Sequence, residues 1–429
     1  MEKKQIKISL QKALILCLMV LVAIFIVEVA LLPKTGGNEI KPEIKNETQE
    51  EHVTKEFDNS DFSTSFLKME NNKKNMIYSP LSIKYALKML EEGADGNTKS
   101  QIDEVIGKLN LTKYDNIDKV LSLANAVYIR DTYSNYVKDS YTNTLSQKYN
   151  AEIKYDSFAN AKNVNNWIEY KTLGIIKNML SDNLVQNPNT EMLLINALAI
   201  DMEWASRFQD KDTYGRDFYL DNGQTMKATT MSKETSSDEI AYYKDKNVTA
   251  LSMDLQKYND QQLEFIAIMP NENLSEYINT FDMSKLNDIT KRLTKASDTK
   301  NGLQIYIPKF SFDYNLKLKN DLINLGITDA FDRNLANFSN MSSRELYVSD
   351  ALHKANIDFT EKGVKAAAVT AIILMDKAMI MEKEKPEEVK IDKPFLFVIK
   401  DKNTDEIWFI GTVYEPNSWE KDKAEYSYR

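Results

Sequence analysis

Apolar residues fall along this chain in several patterns, and each predicts a different element. Residues 13–32 are apolar throughout except for Glu28. At 1.5 Å rise per residue such a run spans the ~30 Å hydrocarbon core of a bilayer, so it predicts a membrane-spanning helix. Residues 33–56 are polar, rich in Glu, Lys, Asn and Thr, and show no hydrophobic period, which predicts a solvated linker. From Phe57 onward helical and extended patterns alternate. Ser79-Pro80 followed by Leu81, Ile83, Ala86, Leu87 and Leu90 predicts a helix capped by Ser79, with Pro80 in its first turn and Gly93 as its stop. A second amphipathic helix is expected over 164–177, around Trp167 and Ile168. Residues 192–200 are too uniformly apolar for a surface helix and suit a buried strand. Residues 305–312 alternate as a strand, with Pro308 marking an edge or bend. Residues 395–399 and 407–413 form a predicted hairpin about the polar turn 401–405. No βαβ rhythm and no internal repeat is present. The fold class is α+β with large mixed sheets, in one domain over 57–416, followed by a charged tail at 417–429.

Charge decides what flanks the first run. Residues 1–12 carry Lys3, Lys4, Lys7 and Lys12, and acids follow the run, so the N-terminus is expected inside the cell and the remainder outside. A cleaved signal peptide is the alternative, although its apolar region is usually about 7–15 residues and Glu28 spoils the obvious cleavage site. Cys17 lies mid-run without small residues before it, so a lipid-modified start is not expected. Either way the bulk of the chain is exported, to the extracellular face of a membrane or beyond it.

Across 429 residues, Lys+Arg 55 against Asp+Glu 64 leaves a net charge of −9. That argues against nucleic acid as a partner, since phosphate recognition needs clustered Lys and Arg. A single cysteine excludes an intramolecular disulfide, and two histidines, His52 and His353, leave little for zinc or paired-His catalysis. No cofactor or metal is implied.

Catalytic motifs are thin. There is no phosphate-cradling glycine loop, no HExxH and no GxSxG. SxxK occurs at Ser65–Lys68 and Ser297–Lys300 without its partner motifs, as chance allows in a chain rich in both residues. Asp210, Asp212 and Gly215 resemble a calcium loop, but Tyr214 stands at a ligand position and Asp221 where the closing Glu belongs, so a solvated loop is expected. The expectation is a chain that is not an enzyme.

The unusual segment is 363–374, Gly-Val-Lys-Ala-Ala-Ala-Val-Thr-Ala-Ile-Ile-Leu. It fits an alanine-rich helix or a core strand. As a strand, one face carries Val364, Ala366, Ala368, Thr370, Ile372 and Leu374 and the other carries Lys365, Ala367, Val369, Ala371, Ile373 and Met375. Lys365 is the only charge up to Leu374, and no proline interrupts the ladder. Yet Asp376-Lys377 and the very polar stretch 382–390 follow directly. A strand-competent segment is thus joined to an exposed loop.

At this point a resemblance becomes specific. The stretch Phe359-Thr360-Glu361-Lys362-Gly363-Val364-Lys365-Ala366-Ala367-Ala368-Val369-Thr370 resembles the reactive-loop hinge of the serpins. Asn75-Met76-Ile77-Tyr78-Ser79-Pro80-Leu81-Ser82-Ile83 resembles the family's helix-opening motif. Ile195-Asn196-Ala197 through Trp204, and Ile307-Pro308-Lys309-Phe310, resemble two later blocks. Asp392-Lys393-Pro394-Phe395-Leu396-Phe397, Phe409-Ile410-Gly411 and Pro416 are similar to its C-terminal signature. These blocks stand in family order across 57–416.

What the resemblance implies is a monomeric suicide inhibitor of serine proteases. A target protease cuts the exposed loop and is held as a covalent acyl complex when the freed segment inserts as a new central strand. Family spacing, fourteen residues on from Gly363, sets the scissile bond at Lys377–Ala378. Lysine there suits a trypsin-like pocket floored by a carboxylate. Cuts after Met375 or Met379 are the alternatives. Ser79, Ser82, Asn196 and His353 match a polar cluster beneath the opening sheet. Glu361 and Lys309, near Trp204, match a gating charge pair at its top, expected to be exposed. Two departures stand out: Val364 replaces the usual Thr or Ser at the first inserting position, and Ile200-Asp201-Met202-Glu203 replaces a Phe-Lys-Gly-Lys type approach to Trp204. A non-inhibitory serpin, acting as a binding or structural protein, is the other class the resemblance allows.

Overall fold

The computed structural model describes residues 20–29, 62–107, 113–174, 176–364 and 385–420. Three sheets organise them. The largest has eight strands, labelled in chain order β1 (Val20–Val29), β2 (Leu121–Arg130), β3 (Ala151–Asp156), β4 (Thr190–Ile200), β5 (Met202–Glu203), β6 (Phe310–Lys317), β7 (Leu346–Phe359) and β8 (Gly363–Val364). Their spatial order is β3-β2-β4-β1-β7-β8-β5, with β6 on the other side of β7. Only the β2–β3 pair is parallel, and the rest of the sheet is antiparallel.

A seven-stranded sheet runs Thr294–Lys295, Ile240–Lys244, Val248–Asp254, Leu263–Pro270, Phe395–Asp401, Ile407–Val413 and Met76–Tyr78. A four-stranded sheet holds Glu387–Lys390, Leu303–Pro308, Thr225–Thr235 and Thr213–Tyr219.

Most local expectations survive, with reasons that differ in places. The helix Pro80–Gly93 starts at Ser79, whose hydroxyl oxygen accepts the Ser82 N–H at 3.0 Å, and Pro80 stands where a missing N–H costs nothing. Gly93 is its last residue, and glycine is needed there for space: a Cβ would lie 2.6 Å from the Met341 methyl. The second helix is shorter than expected, Lys162–Lys171, because Leu173 and Gly174 take positive φ just beyond it. Pro308 does more than bend a strand. Leu303–Pro308 belongs to the four-stranded sheet and Phe310–Lys317 to the eight-stranded one, so the chain changes sheets there. The hairpin of Phe395–Asp401 and Ile407–Val413 is present. The packed body also continues past Pro416: Asn417 N–H donates to the Lys309 carbonyl at 2.9 Å, and the Trp419 ring lies against Gly215.

The N-terminal run departs most from expectation. Val20–Val29 is a strand of the large sheet, not a membrane-spanning helix, and no helix among the described residues is long and apolar enough to cross a bilayer. The strand form has a physical basis. Six of its ten residues (Val20, Val22, Ile24, Ile26, Val27 and Val29) are β-branched, which favours a pleated ladder. Both edges of β1 are paired, to β4 on one side and β7 on the other, and Val27 is fully buried in the core. The linker 33–56, residues 1–12 and the end of the tail lie outside the described residues.

Candidate functional site

The site is the seam of the large sheet between β7 on one side and β4–β5 on the other, together with its two polar clusters. Its upper end is built by the turn joining β7 to β8. Thr360 N–H donates to the Gly363 carbonyl at 3.1 Å, folding the chain back so that Val364 faces Phe359. On its other side β8 pairs with β5, Gly363 opposite Glu203 and Val364 opposite Met202. The approach is so tight that a Cβ at Gly363 would come within 2.2 Å of the Met202 carbonyl oxygen. Glycine is therefore required here for backbone contact. Val364 is fully buried.

Aromatic packing fixes this corner. Trp204 is 1% exposed, and its indole N–H donates to the Thr360 carbonyl at 2.8 Å. Its backbone N–H donates to the Lys362 carbonyl at 2.9 Å. The ring meets Phe359 edge-on at 5.1 Å, and Phe359 in turn stacks on Phe310 at 4.6 Å. Such pairs contribute about 0.5–1.5 kcal/mol each beyond the area they bury.

The Glu361–Lys309 pair is present, with Nζ 3.3 Å from Oε2. It is not the exposed pair the sequence suggested: the side chains are only 6% and 13% accessible. Thr213, at the start of the strand Thr213–Tyr219, supplies a second partner. The Thr213 hydroxyl donates to Glu361 Oε1 at 2.8 Å. The pair therefore ties the hinge to the four-stranded sheet, and at this depth breaking it costs more than at a surface. Thr213 carried no sequence signal.

Lower in the seam the four polar residues do meet. The Ser79 N–H donates to His353 Nε2 at 3.0 Å, and the Ser82 hydroxyl donates to Asn196 Oδ1. Asn196 Nδ2 donates to Asn125 Oδ1 at 2.8 Å, and Asn125 Nδ2 to the Tyr149 carbonyl at 2.7 Å. The cluster thus runs from the helix Pro80–Gly93 across β4 to β2. Asn125 and Tyr149 extend it beyond what the sequence suggested. Burial pushes His353 down to about 3, so the ring is neutral. With Nε2 accepting, the proton sits on Nδ1, which has no partner among the described residues. One rung of the ladder crosses the whole cluster: Ala23 of β1 pairs with His353 on one side and Asn196 on the other.

The remaining sequence-predicted residues divide plainly. Glu361, Lys362, Gly363 and Val364 are in the hinge turn and β8. Lys365, Ala366, Ala367, Ala368, Val369 and Thr370, the bond Lys377–Ala378, and Met375 and Met379 lie outside the described residues. Asp210 and Asp212 form a short turn leading into the strand Thr213–Tyr219, and no group of three metal-ligating side chains is found among the described residues.

Comparisons with known proteins agree with this geometry. A family model described as "Serpin (serine protease inhibitor)" matches residues 58–416. An "Uncharacterized serpin-like protein" of Methanosarcina acetivorans is 29% identical over 380 residues, covering 81% of this chain and 83% of that one. The "Leukocyte elastase inhibitor" of Xenopus tropicalis is 28% identical over 379 residues, covering 81% of this chain and 95% of that one. Among solved structures, the thermophilic serpin tengpin in its native state superimposes with a TM-score of 0.69 at 28% identity, over 88% of this chain and 97% of that one.

Proposed function

Because the chain belongs to the serpin family, we propose that it is a suicide inhibitor of a trypsin-like or subtilisin-like serine protease, working by reactive-loop insertion. The reactive bond in this reading is Lys377–Ala378. The protease serine attacks the Lys377 carbonyl, the bond to Ala378 breaks, and Ala378 leaves as a new amine. Lys377 stays esterified to the enzyme. Insertion of the freed segment then competes with hydrolysis of that ester, and the protease is trapped when insertion is faster.

One observation carries this reading: Gly363 and Val364 are paired on both sides, between β7 and β5, with Val364 buried. The first step of insertion is therefore compatible with this sequence, including its unusual valine. Beyond Val364 the alternating face Ala366, Ala368, Thr370, Ile372 and Leu374 is free of charge and proline. Each further rung contributes ladder hydrogen bonds at ~1 kcal/mol net, and Ile372 and Leu374 add ~1.5–3 kcal/mol apiece on burial. Backbone ordering opposes this at ~1–2 kcal/mol per residue, so strain released from the uncut loop supplies the remainder.

The chain acts outside the cell in this reading. A non-inhibitory role as a binding or structural protein is the second reading. It is favoured by a specific observation, that the seam between β4 and β7 already contains β1. Incubation with trypsin followed by denaturing electrophoresis separates the two. The inhibitor yields a covalent band that survives SDS, whereas a non-inhibitory chain is cut without one.

A further inference from the structure

We propose that residues Val20–Val29 are a resident plug of the insertion seam: the chain's own N-terminal run holds, rung for rung, the place that the cleaved reactive loop must take, and inhibition requires its withdrawal. The proposal builds on the inhibitory reading above.

Register carries it. In β8, Val364 opposes Met202 on one side and Phe359 on the other. Continued down β4, that register sets Ala367 opposite Ala199, which is the partner of Val20. Leu374 falls opposite Met192, the partner of Val27. The β7 edge gives an independent answer and it agrees. Counting from Phe359, Ala367 falls opposite Asn356, again the partner of Val20, and the match on this edge runs to Ile26, beyond which β1 shifts by one residue against β7. β1 runs antiparallel to β4 and β8 runs antiparallel to β5.

Face and chemistry agree with register. On the β4 edge Val27 holds the rung that Leu374 would take, and it is fully buried; in an extended strand the alternation of side chains would put Leu374 on the face of Val364, which is buried too. The two octets are Val-Leu-Val-Ala-Ile-Phe-Ile-Val at 20–27 and Ala-Ala-Val-Thr-Ala-Ile-Ile-Leu at 367–374, neither with a charge or a proline. A central strand uses both edges of its neighbours, and β1 already takes those of β4 and β7. Two segments cannot satisfy the same backbone groups at once. The plug also crosses the polar cluster, since Ala23 lies on the rung between Asn196 and His353.

The test uses the full-length chain and two readouts. Hydrogen exchange on the unmodified protein reports the plug directly: amides of 20–29 exchange slowly if it is seated, and rapid exchange there overturns the proposal. Competition is read with a fluorescein-labelled synthetic peptide of residues 364–375. Ala23→Pro removes a ladder donor from a central strand, and Val27→Asp places a carboxylate in the core, so each expels the plug by a different route. Each variant is expected to take up the peptide at least tenfold faster than the unmodified chain, and to form the trypsin complex at least tenfold faster. A linker control, Gln49→Pro, should match the unmodified chain. Equal uptake by all four proteins overturns the plug. Faster uptake by the two variants, with no protease complex from any protein, upholds the plug and overturns the inhibitory reading instead.

Discussion

Gly363 touches the backbone of Met202 more closely than any side chain would permit, since a Cβ there would lie only 2.2 Å from the carbonyl oxygen. The contact explains why a glycine opens the inserting segment: β8 can lie against β5 only without a Cβ at that rung. Gly363→Ala should therefore unseat β8, lower stability by about 1–3 kcal/mol through overpacking, and slow formation of the protease complex. Chemical denaturation and a time course of complex formation check both parts. A variant with unchanged stability and rate would contradict the assignment.

Val364 occupies the next rung. Its side chain is fully buried beside Phe359 and Met202, so Val364→Arg would place an unpaired guanidinium in the core. Insertion should stall, and trypsin should cut the loop without being trapped. The measurement is the ratio of cleaved chain to covalent complex on a denaturing gel. Val364→Thr, nearly isosteric, should keep the complex.

The buried pair of Glu361 and Lys309 predicts a loss of stability when one partner is neutralised. Glu361→Gln keeps a hydrogen-bond acceptor for Thr213 but takes the carboxylate from Lys309. Breaking a buried pair from one side costs roughly 3 kcal/mol, more than an exposed pair would. Urea titration of the variant against the unmodified chain measures it.

Acid sensitivity separates two buried groups of opposite sign. His353, held near 3 by burial against about 6.5 when unfolded, binds fewer protons folded than unfolded between those values. Its contribution is intact above the unfolded value and is lost on acidification, at up to about 1.4 kcal/mol per pH unit. Asp321 is pushed up to about 7, first by burial and then by Glu70, and its Oδ2 has no partner among the described residues. It binds more protons folded than unfolded from about 4 to about 7, so its contribution falls as pH rises. Thermal melts across pH 4–8 should show His353→Gln gaining on the unmodified chain toward acid. Asp321→Asn should gain on it as pH rises from about 4 to about 7 and level off above that. Parallel melting curves for either variant would contradict its assignment.

How much of this was legible in the sequence depends on whether a residue's partners are local. The Ser79-Pro80 helix start, the break at Pro308 and the hairpin of Phe395–Asp401 with Ile407–Val413 are written in short-range chemistry, and they were readable. The hinge was readable as a resemblance, down to Glu361, Gly363 and Val364. The burial of the Glu361–Lys309 pair was not, because its partner Thr213 lies far away in sequence and announces nothing about its destination. Residues 13–32 show the deepest ambiguity. Their length and flanking lysines suit a bilayer, while the β-branched content of Val20–Val29 suits a sheet. An apolar run with both properties is assigned by what it meets, and its hosts, Thr190–Ile200 and Leu346–Phe359, are more than 150 residues away in sequence.

The central claim is that loop cleavage and insertion trap the protease, and it is tested most directly by mass spectrometry of the trypsin reaction with the unmodified chain and with Ala23→Pro. The expected result is an SDS-stable adduct, formed faster by the variant, together with a released C-terminal fragment that begins at Ala378. Complete cleavage of both proteins with no adduct, or an adduct whose released fragment begins elsewhere than within 376–380, would contradict it.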